Sequence, residues 1–365
     1  MTDRLSTLLH EGADTIDVPP MPGDLIAAGR REERRRRTRT ALVGAVAAIL
    51  VVTGATVAVD RWRDSDDSIQ PADELAYQQL GAWISDEVVH IGDRTVEVPG
   101  AQSLVYTSAG AIVANLPDSI EDPTRLTLVA PDGETRDLGH FDAIAAEAGS
   151  PELVYAEEVE DQGYVQLQVL DLATDETRPL GDPFQSEETP LLGRSDRYVI
   201  VTQDQLEVAV DMDTGEVSRM PRRELGFSVP WGYGPAGYIT APDPESEPVE
   251  ITQWHVRSMP DGDLVGSYPD AGGQYATVSP DGRYLLTSSD TTALVYDVAS
   301  GERLPLELTL TEFQPTGWTP DGHVLTTGED GTVVSCGPAT GECTDTGVPA
   351  GDDLRLERGS FNSWS

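Results

Sequence analysis

The chain contains no lysine: all 24 basic residues among its 365 are arginine, against 64 acidic residues, for a formal net charge of −40. Cysteine is nearly as scarce, with two residues, and the five scattered histidines do not pair with them in a zinc-ligand pattern. Neither a glycine-rich phosphate loop nor a Gly-x-Ser-x-Gly nucleophile motif occurs. The sequence therefore predicts no catalytic residue, metal or cofactor, and it favours a non-enzymatic role.

The negative charge is placed unevenly along the chain. Before residue 64, ten arginines face eight acidic residues, whereas from Asp64 onward 14 arginines face 56 acidic residues, a net charge of −42. A surface this acidic repels phosphate backbones, so we expect the large C-terminal part not to bind nucleic acid.

One long apolar run stands near the N-terminus, between residues 41 and 59. It has 19 residues without a charge, and as a helix it would be about 28 Å long, close to the thickness of a bilayer core. Seven arginines between residues 30 and 39 place its N-terminal side in the cytoplasm by the positive-inside rule. A cleaved signal peptide is the alternative, although a 40-residue leader is long for one.

This segment divides the chain into four predicted parts. Residues 1–40 form a cytoplasmic Arg-rich tail, 41–59 a transmembrane helix, 60–74 a polar linker and 75–365 an extracytoplasmic domain. The short tail before a basic flank resembles those of actinobacterial membrane proteins, including some anti-sigma factors. The tail lacks the His-x-x-x-Cys-x-x-Cys zinc motif of that group, so a signalling role is only an alternative here.

The domain after residue 75 shows an internal repeat. A turn between two short apolar runs recurs as LDLATDET at 170–177, VDMDTGEV at 210–217, YDVASGER at 296–303 and CGPATGEC at 336–343, with looser relatives elsewhere. The Gly or Asp of the turn lies at positions 93, 133, 175, 215, 262, 301 and 341, spaced by 40, 42, 40, 47, 39 and 40 residues. A propeller blade of four strands takes about 40–45 residues. The repeat predicts an all-β, seven-bladed β-propeller.

A second turn supports this interpretation. Ser279-Pro-Asp-Gly-Arg and Thr319-Pro-Asp-Gly-His precede the outer hairpins by about 20 residues, and Pro and Gly at these positions are typical of type I turns. These segments resemble the repeats of TolB-like and WD-repeat propellers, a resemblance that covers residues 75–348. It implies the propeller fold but no particular function, because such folds carry unrelated activities.

Three local features yield further expectations. The long 47-residue step predicts an extended loop near Pro242–Glu250, and the helical pattern from Phe141 to Ala148 allows at most two turns of helix. The C-terminal residues Leu354–Leu356 and Phe361–Trp364 suggest that the end of the chain supplies the innermost strand of the first blade and so closes the ring.

The two cysteines flank the turn of the seventh blade. Residues directly across a hairpin lie about 4.5–5.5 Å apart at their Cα atoms, within disulfide range, and an extracytoplasmic location is oxidising. We therefore predict a disulfide between Cys336 and Cys343, with two buried free thiols as the alternative.

The loop from Pro230 to Pro235 is the most unusual in composition, because Trp231 and Tyr233 alternate with glycine there. Aromatic side chains at a channel mouth could stack on a ligand such as a sugar; packing between blades is the alternative.

The sequence thus predicts a monomeric, membrane-anchored binding or scaffold module for an unidentified protein or envelope ligand. Two alternatives are a transmembrane sensor signalling through its tail and an envelope enzyme acting on carbohydrate or lactone.

Overall fold

The computed structural model describes residues 72–115, 124–141, 143–159, 163–186, 190–203, 206–220, 232–234, 237–240, 253–269, 275–289, 291–310, 315–351 and 353–357. All of them fall in one compact unit, Ser68–Ser365. Within these ranges, no helix has the length and apolar character needed to cross a bilayer. The predicted membrane segment, residues 41–59, lies outside the described part of the chain, as do the tail and most of the linker.

The described residues form one helix, α1 (Ala72–Leu80), and a series of short strands. The strands are β1 (Ala82–Ser85), β2 (Val88–Ile91), β3 (Arg94–Glu97), β4 (Ala101–Thr107), β5 (Gly110–Asn115), β6 (Thr124–Val129), β7 (Thr135–Phe141), β8 (Ile144–Ala146), β9 (Glu152–Val159), β10 (Tyr164–Asp171), β11 (Thr177–Gln185), β12 (Leu191–Arg194), β13 (Tyr198–Gln203), β14 (Leu206–Asp211), β15 (Val217–Arg219), β16 (Gly232–Gly234), β17 (Gly237–Thr240), β18 (Gln253–Arg257), β19 (Leu264–Pro269), β20 (Tyr275–Val278), β21 (Tyr284–Ser288), β22 (Thr292–Asp297), β23 (Arg303–Thr309), β24 (Gly317–Trp318), β25 (Val324–Thr327), β26 (Thr332–Cys336), β27 (Cys343–Pro349) and β28 (Arg355–Leu356).

These strands pair into seven antiparallel four-stranded sheets, the blades of a β-propeller. Blade 1 combines β28 with β1, β2 and β3; blades 2 to 7 each take the next four strands in order, from β4–β7 to β24–β27. The first strands of neighbouring blades contact each other around the ring, for example β8 with β12 and β12 with β16. The predicted seven-bladed architecture is confirmed.

Packing explains why the blades form a ring. The buried side chains divide into seven clusters, and each cluster joins two neighbouring blades. Alternate residues of one strand serve opposite interfaces: in β21, Leu285 packs toward blade 5, whereas Tyr284 and Leu286 pack toward blade 7. Both faces of each sheet are therefore apolar and covered, which is why the second strands are continuous hydrophobic runs in the sequence.

The turns lie where the repeat predicts them. Each of the seven positions falls in the turn between the third and fourth strand of a blade, and positive φ angles occur at Asp175, Gly215, Gly301 and Gly341 among them. The turns at Gly282 and Gly322 join first to second strands and are closed by hydrogen bonds from their N–H groups to the carbonyls of Ser279 and Thr319, at 2.8 and 3.0 Å. We call the side of the ring that carries both kinds of turn the turn face.

The C-terminal strand closes the ring, as the sequence suggested. Strand β28 pairs with β1, with Leu356 opposite Trp83 and Arg355 opposite Ile84. On its other side it meets blade 7, where a Cβ on Gly317 would lie 2.8 Å from the Leu356 Cβ. Only a glycine permits so close an approach. Residues 361–364, also considered for this strand, lie outside the described residues.

Helix α1 reinforces the same junction from the turn face. Tyr77 is fully buried and donates a hydrogen bond from its hydroxyl to the Thr107 carbonyl of blade 2, at 2.9 Å. On the other side, the Asp321 N–H of blade 7 donates to the Gln78 carbonyl at 3.2 Å. The helix, which begins inside the predicted linker, therefore contacts both neighbours of blade 1 and ends at Gly81, whose N–H bonds the Tyr77 carbonyl.

Two further expectations concern a helix near residue 141 and a long loop near residue 242. The two-turn helix considered between Phe141 and Ala148 is wrong, because β7 ends at Phe141 and Ile144–Ala146 is β8. Its small apolar residues suit a first strand, since Ile144 faces blade 2 and Ala145 faces blade 4. The long loop expected near Pro242–Glu250 lies outside the described residues, between β17 and β18.

Removing β28 should open the ring. A variant of the protein truncated after Asp353, studied in detergent, lacks Leu356, which is 4% exposed in the intact protein. Trp83 then has no residue opposite it on the side of β28. We expect a loss of unfolding free energy of at least about 3 kcal/mol, by analogy with large buried deletions, measured by urea denaturation. A variant ending at Glu357 keeps β28 and serves as the control. Equal midpoints for the two variants would contradict closure by this strand.

Candidate functional site

The first strands of the blades end at the turn face, around the mouth of the central channel. In three blades, the residue just after this strand is a buried Ser or Thr whose hydroxyl holds the following turn. Ser195, Ser279 and Thr319 accept hydrogen bonds from the backbone N–H groups of Tyr198, Tyr284 and His323, at 3.2, 2.9 and 3.0 Å. These hydroxyls are structural parts of the repeat.

Blades 3 and 4 depart from this pattern at adjacent positions. Blade 3 has Glu147 where blades 4, 6 and 7 have the turn hydroxyl. Blade 4 keeps Ser195, but the last residue of its first strand is Arg194, where blades 6 and 7 have Val278 and Trp318. Two ionisable side chains therefore replace a hydroxyl and an apolar group at one blade interface. In a repeat fold, such breaks of a local rule mark candidate functional positions.

Around these two residues lies a group of charged and polar side chains from both blades, which we call the mouth cluster: Glu147, Ser150, Glu152, Arg178, Arg194 and Asp196. The Arg194 guanidinium donates to the Glu152 backbone carbonyl, to Ser150 Oγ at 2.9 Å and to Glu152 Oε2 at 3.0 Å. The other oxygen of Glu152, Oε1, lies 3.1 Å from Arg178 Nη2. One carboxylate thus bridges two arginines across the interface.

Arg194 is the most deeply buried cation of the cluster, with 2% of its side chain exposed. Burial lowers the pKa of Arg194, whereas the carboxylates of Glu147 and Glu152 raise it; the guanidinium stays charged in any case. Its Nε is buried without a hydrogen-bond partner. Burying such a group costs free energy unless it is fully paired, so the fold alone does not explain its presence.

Glu147 presents a different situation, a carboxyl near Arg194 that it does not contact directly. Within the described part of the chain, its side chain makes no hydrogen bond or ion pair, although it is only partly exposed. Burial raises the pKa of Glu147 from 4.5 to about 6; Arg194 lowers this pKa, while Asp196 and Glu152 raise it. The carboxylate therefore carries its charge at neutral pH, where burial and its acidic neighbours oppose that charge and Arg194 partly compensates it.

The remaining arginine nearby is paired with another carboxylate. Arg197 is bound to Asp211, with 2.7 Å between Nη2 and Oδ2. Arg178 and Arg194 both bind Glu152. Glu147 and the exposed Asp196 consequently leave an excess of negative charge at this part of the mouth.

Chemically, such a site suits the binding of a cation or a hydrogen-bond donor. A carboxyl with a pKa near 6 also exchanges protons readily around that pH. In the ranges that the structure describes, no group of three or more His, Cys, Asp or Glu side chains is placed to hold a metal ion.

The residues singled out from the sequence lie elsewhere. Cys336 and Cys343 face each other across β26 and β27, and they form a disulfide with a Cα–Cα distance of 4.0 Å in blade 7. Tyr233 is the middle residue of β16 and pairs with Tyr238. The segment treated as a loop from Pro230 to Pro235 contains β16, Gly232–Gly234, which is the innermost strand of blade 5. Trp231 lies outside the described residues, and a ligand role for this segment stays a prediction.

The mouth cluster was missed by sequence reasoning because acidic residues are abundant throughout the chain. A signal was nevertheless present. Aligning Arg194-Ser195 with Val278-Ser279 shows an arginine at an apolar repeat position. What the alignment does not give is the partner, because Glu152 lies 42 residues from Arg194 in the preceding blade.

Comparisons with known proteins add little beyond this geometry. No protein-family model and no curated protein matches the chain. Among solved structures, the WD40 β-propeller domain of Doa1 is similar at 12% identity and a TM-score of 0.42, covering 67% of this chain and 81% of that one. The Dos1 propeller is similar at 12% identity and a TM-score of 0.39, covering 72% and 79%. The seven four-stranded sheets of this chain themselves show the propeller fold.

Replacing Glu147 by Gln should stabilise the protein in a pH-dependent way. The folded-state pKa of about 6 lies above the ordinary 4.5, so ionisation costs the folded state about 2 kcal/mol above pH 6, and the cost disappears below pH 4.5. We expect Glu147→Gln to raise the urea midpoint at pH 8 and to match the wild type near pH 4.5. The exposed Glu158→Gln, in the same blade, is the control. A destabilised Glu147→Gln at pH 8 would contradict a net cost of this charge to the folded state.

Proposed function

We propose that the protein is a membrane-anchored binding module whose propeller lies outside the cytoplasm and presents its channel mouth to a protein partner. One observation carries this proposal. The seven blade interfaces are built on apolar clusters, yet the interface of blades 3 and 4 adds a buried ionic group that opens at the mouth. Because ionic groups of this kind rarely add stability over apolar packing, a binding role explains their presence better than a folding role.

The expected partner is basic. The charge of −42 from Asp64 onward attracts cationic surfaces and steers them toward the ring. The closed ring provides a rigid frame, so loops and turns on it are held in place before binding, which lowers the entropic cost of association. Membrane anchoring is supported by the apolar run at 41–59 and its arginine flank. The resemblance of the propeller repeats to those of TolB-like proteins supports a place in the cell envelope.

Topology can be tested by labelling with an impermeant maleimide. Because Cys336 and Cys343 are paired, a cysteine introduced by Ser68→Cys would be the free thiol of the chain. We expect it to react on intact cells, whereas Ser6→Cys, in the predicted cytoplasmic tail, reacts only after lysis. Labelling of Ser68→Cys only after lysis would refute the orientation.

The binding role can be tested by affinity capture with the full-length protein in detergent. We expect a basic partner that is captured equally by a variant lacking residues 1–30, and that is released as salt is raised, because screening weakens charge attraction. Loss of the partner with the tail would instead support the sensor alternative, and salt-independent capture would contradict the electrostatic basis.

A further inference from the structure

We infer that β19, the outermost strand of blade 5, is a docking site for an extended segment of a partner protein. The segment is apolar with a basic C-terminal end, and it adds to the blade as a fifth, antiparallel strand. The site lies on the rim of the ring, apart from the channel mouth, and the inference does not depend on the function proposed above.

The first argument is the composition of the seven outermost strands. In the part of the chain that the structure describes, each pairs on one side only. The open side of such a strand can pair with another chain, and natural proteins usually protect it with charged residues or proline. β19, Leu264–Pro269, contains no charged residue, and its one proline is its last residue. Charged residues do occur in all six other outermost strands: β3, β7, β11, β15, β23 and β27.

The second argument is the apolar surface on this edge. Leu264 and Val265 are consecutive, and their exposed fractions are 53% and 45%. Val265 is the extra residue of a β-bulge, because Gly266 lies opposite Val256 and Leu264 lies opposite Arg257. Four other outermost strands have such an irregularity, but they combine it with charged residues: β7, β11, β23 and β27. In β19 the bulge instead presents an apolar side chain to solvent.

The third argument is that the strand is fixed in place before any partner arrives. Tyr268 is buried, and its hydroxyl donates a hydrogen bond to the Val298 carbonyl of blade 6 at 2.7 Å. The same side chain lies over Gly266, where a Cβ would come within 2.3 Å of the Tyr268 hydroxyl oxygen. An edge that is already ordered loses less conformational entropy when another strand pairs with it.

The chemistry of the edge determines the kind of ligand. A row of backbone N–H and C=O groups is satisfied by another extended backbone, and antiparallel pairing is slightly more stable than parallel pairing. Asp261 and Asp263 are exposed just before β19, and within the described residues neither side chain forms an ion pair or a hydrogen bond. The C-terminal end of an antiparallel partner lies beside these carboxylates, so we expect its basic residues there.

A second copy of this chain fits the edge less well than a basic partner does. From Asp64 onward the chain has a net charge of −42, and like charges of this size oppose self-association. A basic segment is attracted by the same charge. We therefore assign the site to another protein.

The test uses the peptide acetyl-Thr-Val-Thr-Val-Arg-Arg-amide and the full-length protein in neutral detergent, with binding measured by calorimetry at low salt. We expect Val265→Lys to weaken binding by about tenfold, because a cation on the edge repels the basic peptide. Val217→Lys adds the same charge at the exposed start of β15 in blade 4 and is the matched control. This control should bind the peptide as the wild type does.

Pairing through the backbone is tested without changing the protein. One peptide carries N-methyl groups on its second and fourth residues, and another carries them on its third and fifth. Because alternate N–H groups of a strand point to opposite edges, only one of the two peptides loses the hydrogen bonds to β19. We expect that peptide to bind about thirtyfold more weakly than the other, the effect of losing two hydrogen bonds.

Equal affinities of the two methylated peptides would overturn the inference, because they would show attraction without strand pairing. Equal weakening by Val265→Lys and Val217→Lys would overturn it as well, since the effect would then be one of net charge, and so would failure of the unmethylated peptide to bind. A dimer of the wild-type protein that Val265→Lys dissociates would assign the edge to a second copy and refute the assignment to a basic partner.

Discussion

Each blade of this protein has two apolar faces, and it can bury both only between two neighbours. Strand β1 shows the constraint in one element: Ala82 and Ile84 pack toward blade 2, whereas Trp83 packs toward blade 7. No blade can satisfy this alone, and no open row of blades can satisfy it at its ends. Closure of the ring is therefore the condition on which all seven interfaces depend.

The closure itself uses residues from both ends of the domain. Strand β28 is two residues long and is held from three sides, by pairing to β1, by contact with Gly317 and by the burial of Leu356. Helix α1 then ties blades 7 and 2 together across blade 1. The disulfide of Cys336 and Cys343 secures the last hairpin before the junction. These short elements are sufficient to close the ring because each of them lies at the junction of blade 1 with its neighbours.

Against this apolar frame, the mouth cluster is an exception that the ring tolerates because it lies at the end of a first strand. Deeper in the interface of blades 3 and 4, the buried side chains are apolar. At the turn face, the turn that follows β8 offers it Ser150 and Glu152. The same placement keeps Glu147 partly exposed, although burial still makes its charge costly for the folded state.

The period, the turn positions and the predicted pairing of the cysteines could be read from the sequence, because the turns and the cysteine pair depend on residues a few positions apart. Pro and Gly at 280 and 282 or the short separation of 336 and 343 act locally, and local chemistry is readable without a fold. The short helix α1 was not predicted, since Tyr77 is its one fully buried residue and gives no periodic pattern. The sequence suggested that the C-terminus completes blade 1, but the pairing of Arg355 and Leu356 with β1 and the charges that meet at the mouth follow from the tertiary structure. Glu147, Glu152 and Arg194 come from two blades, and although the repeat alignment marks Arg194, its pairing with Glu152 follows only from the packing of blade 3 on blade 4.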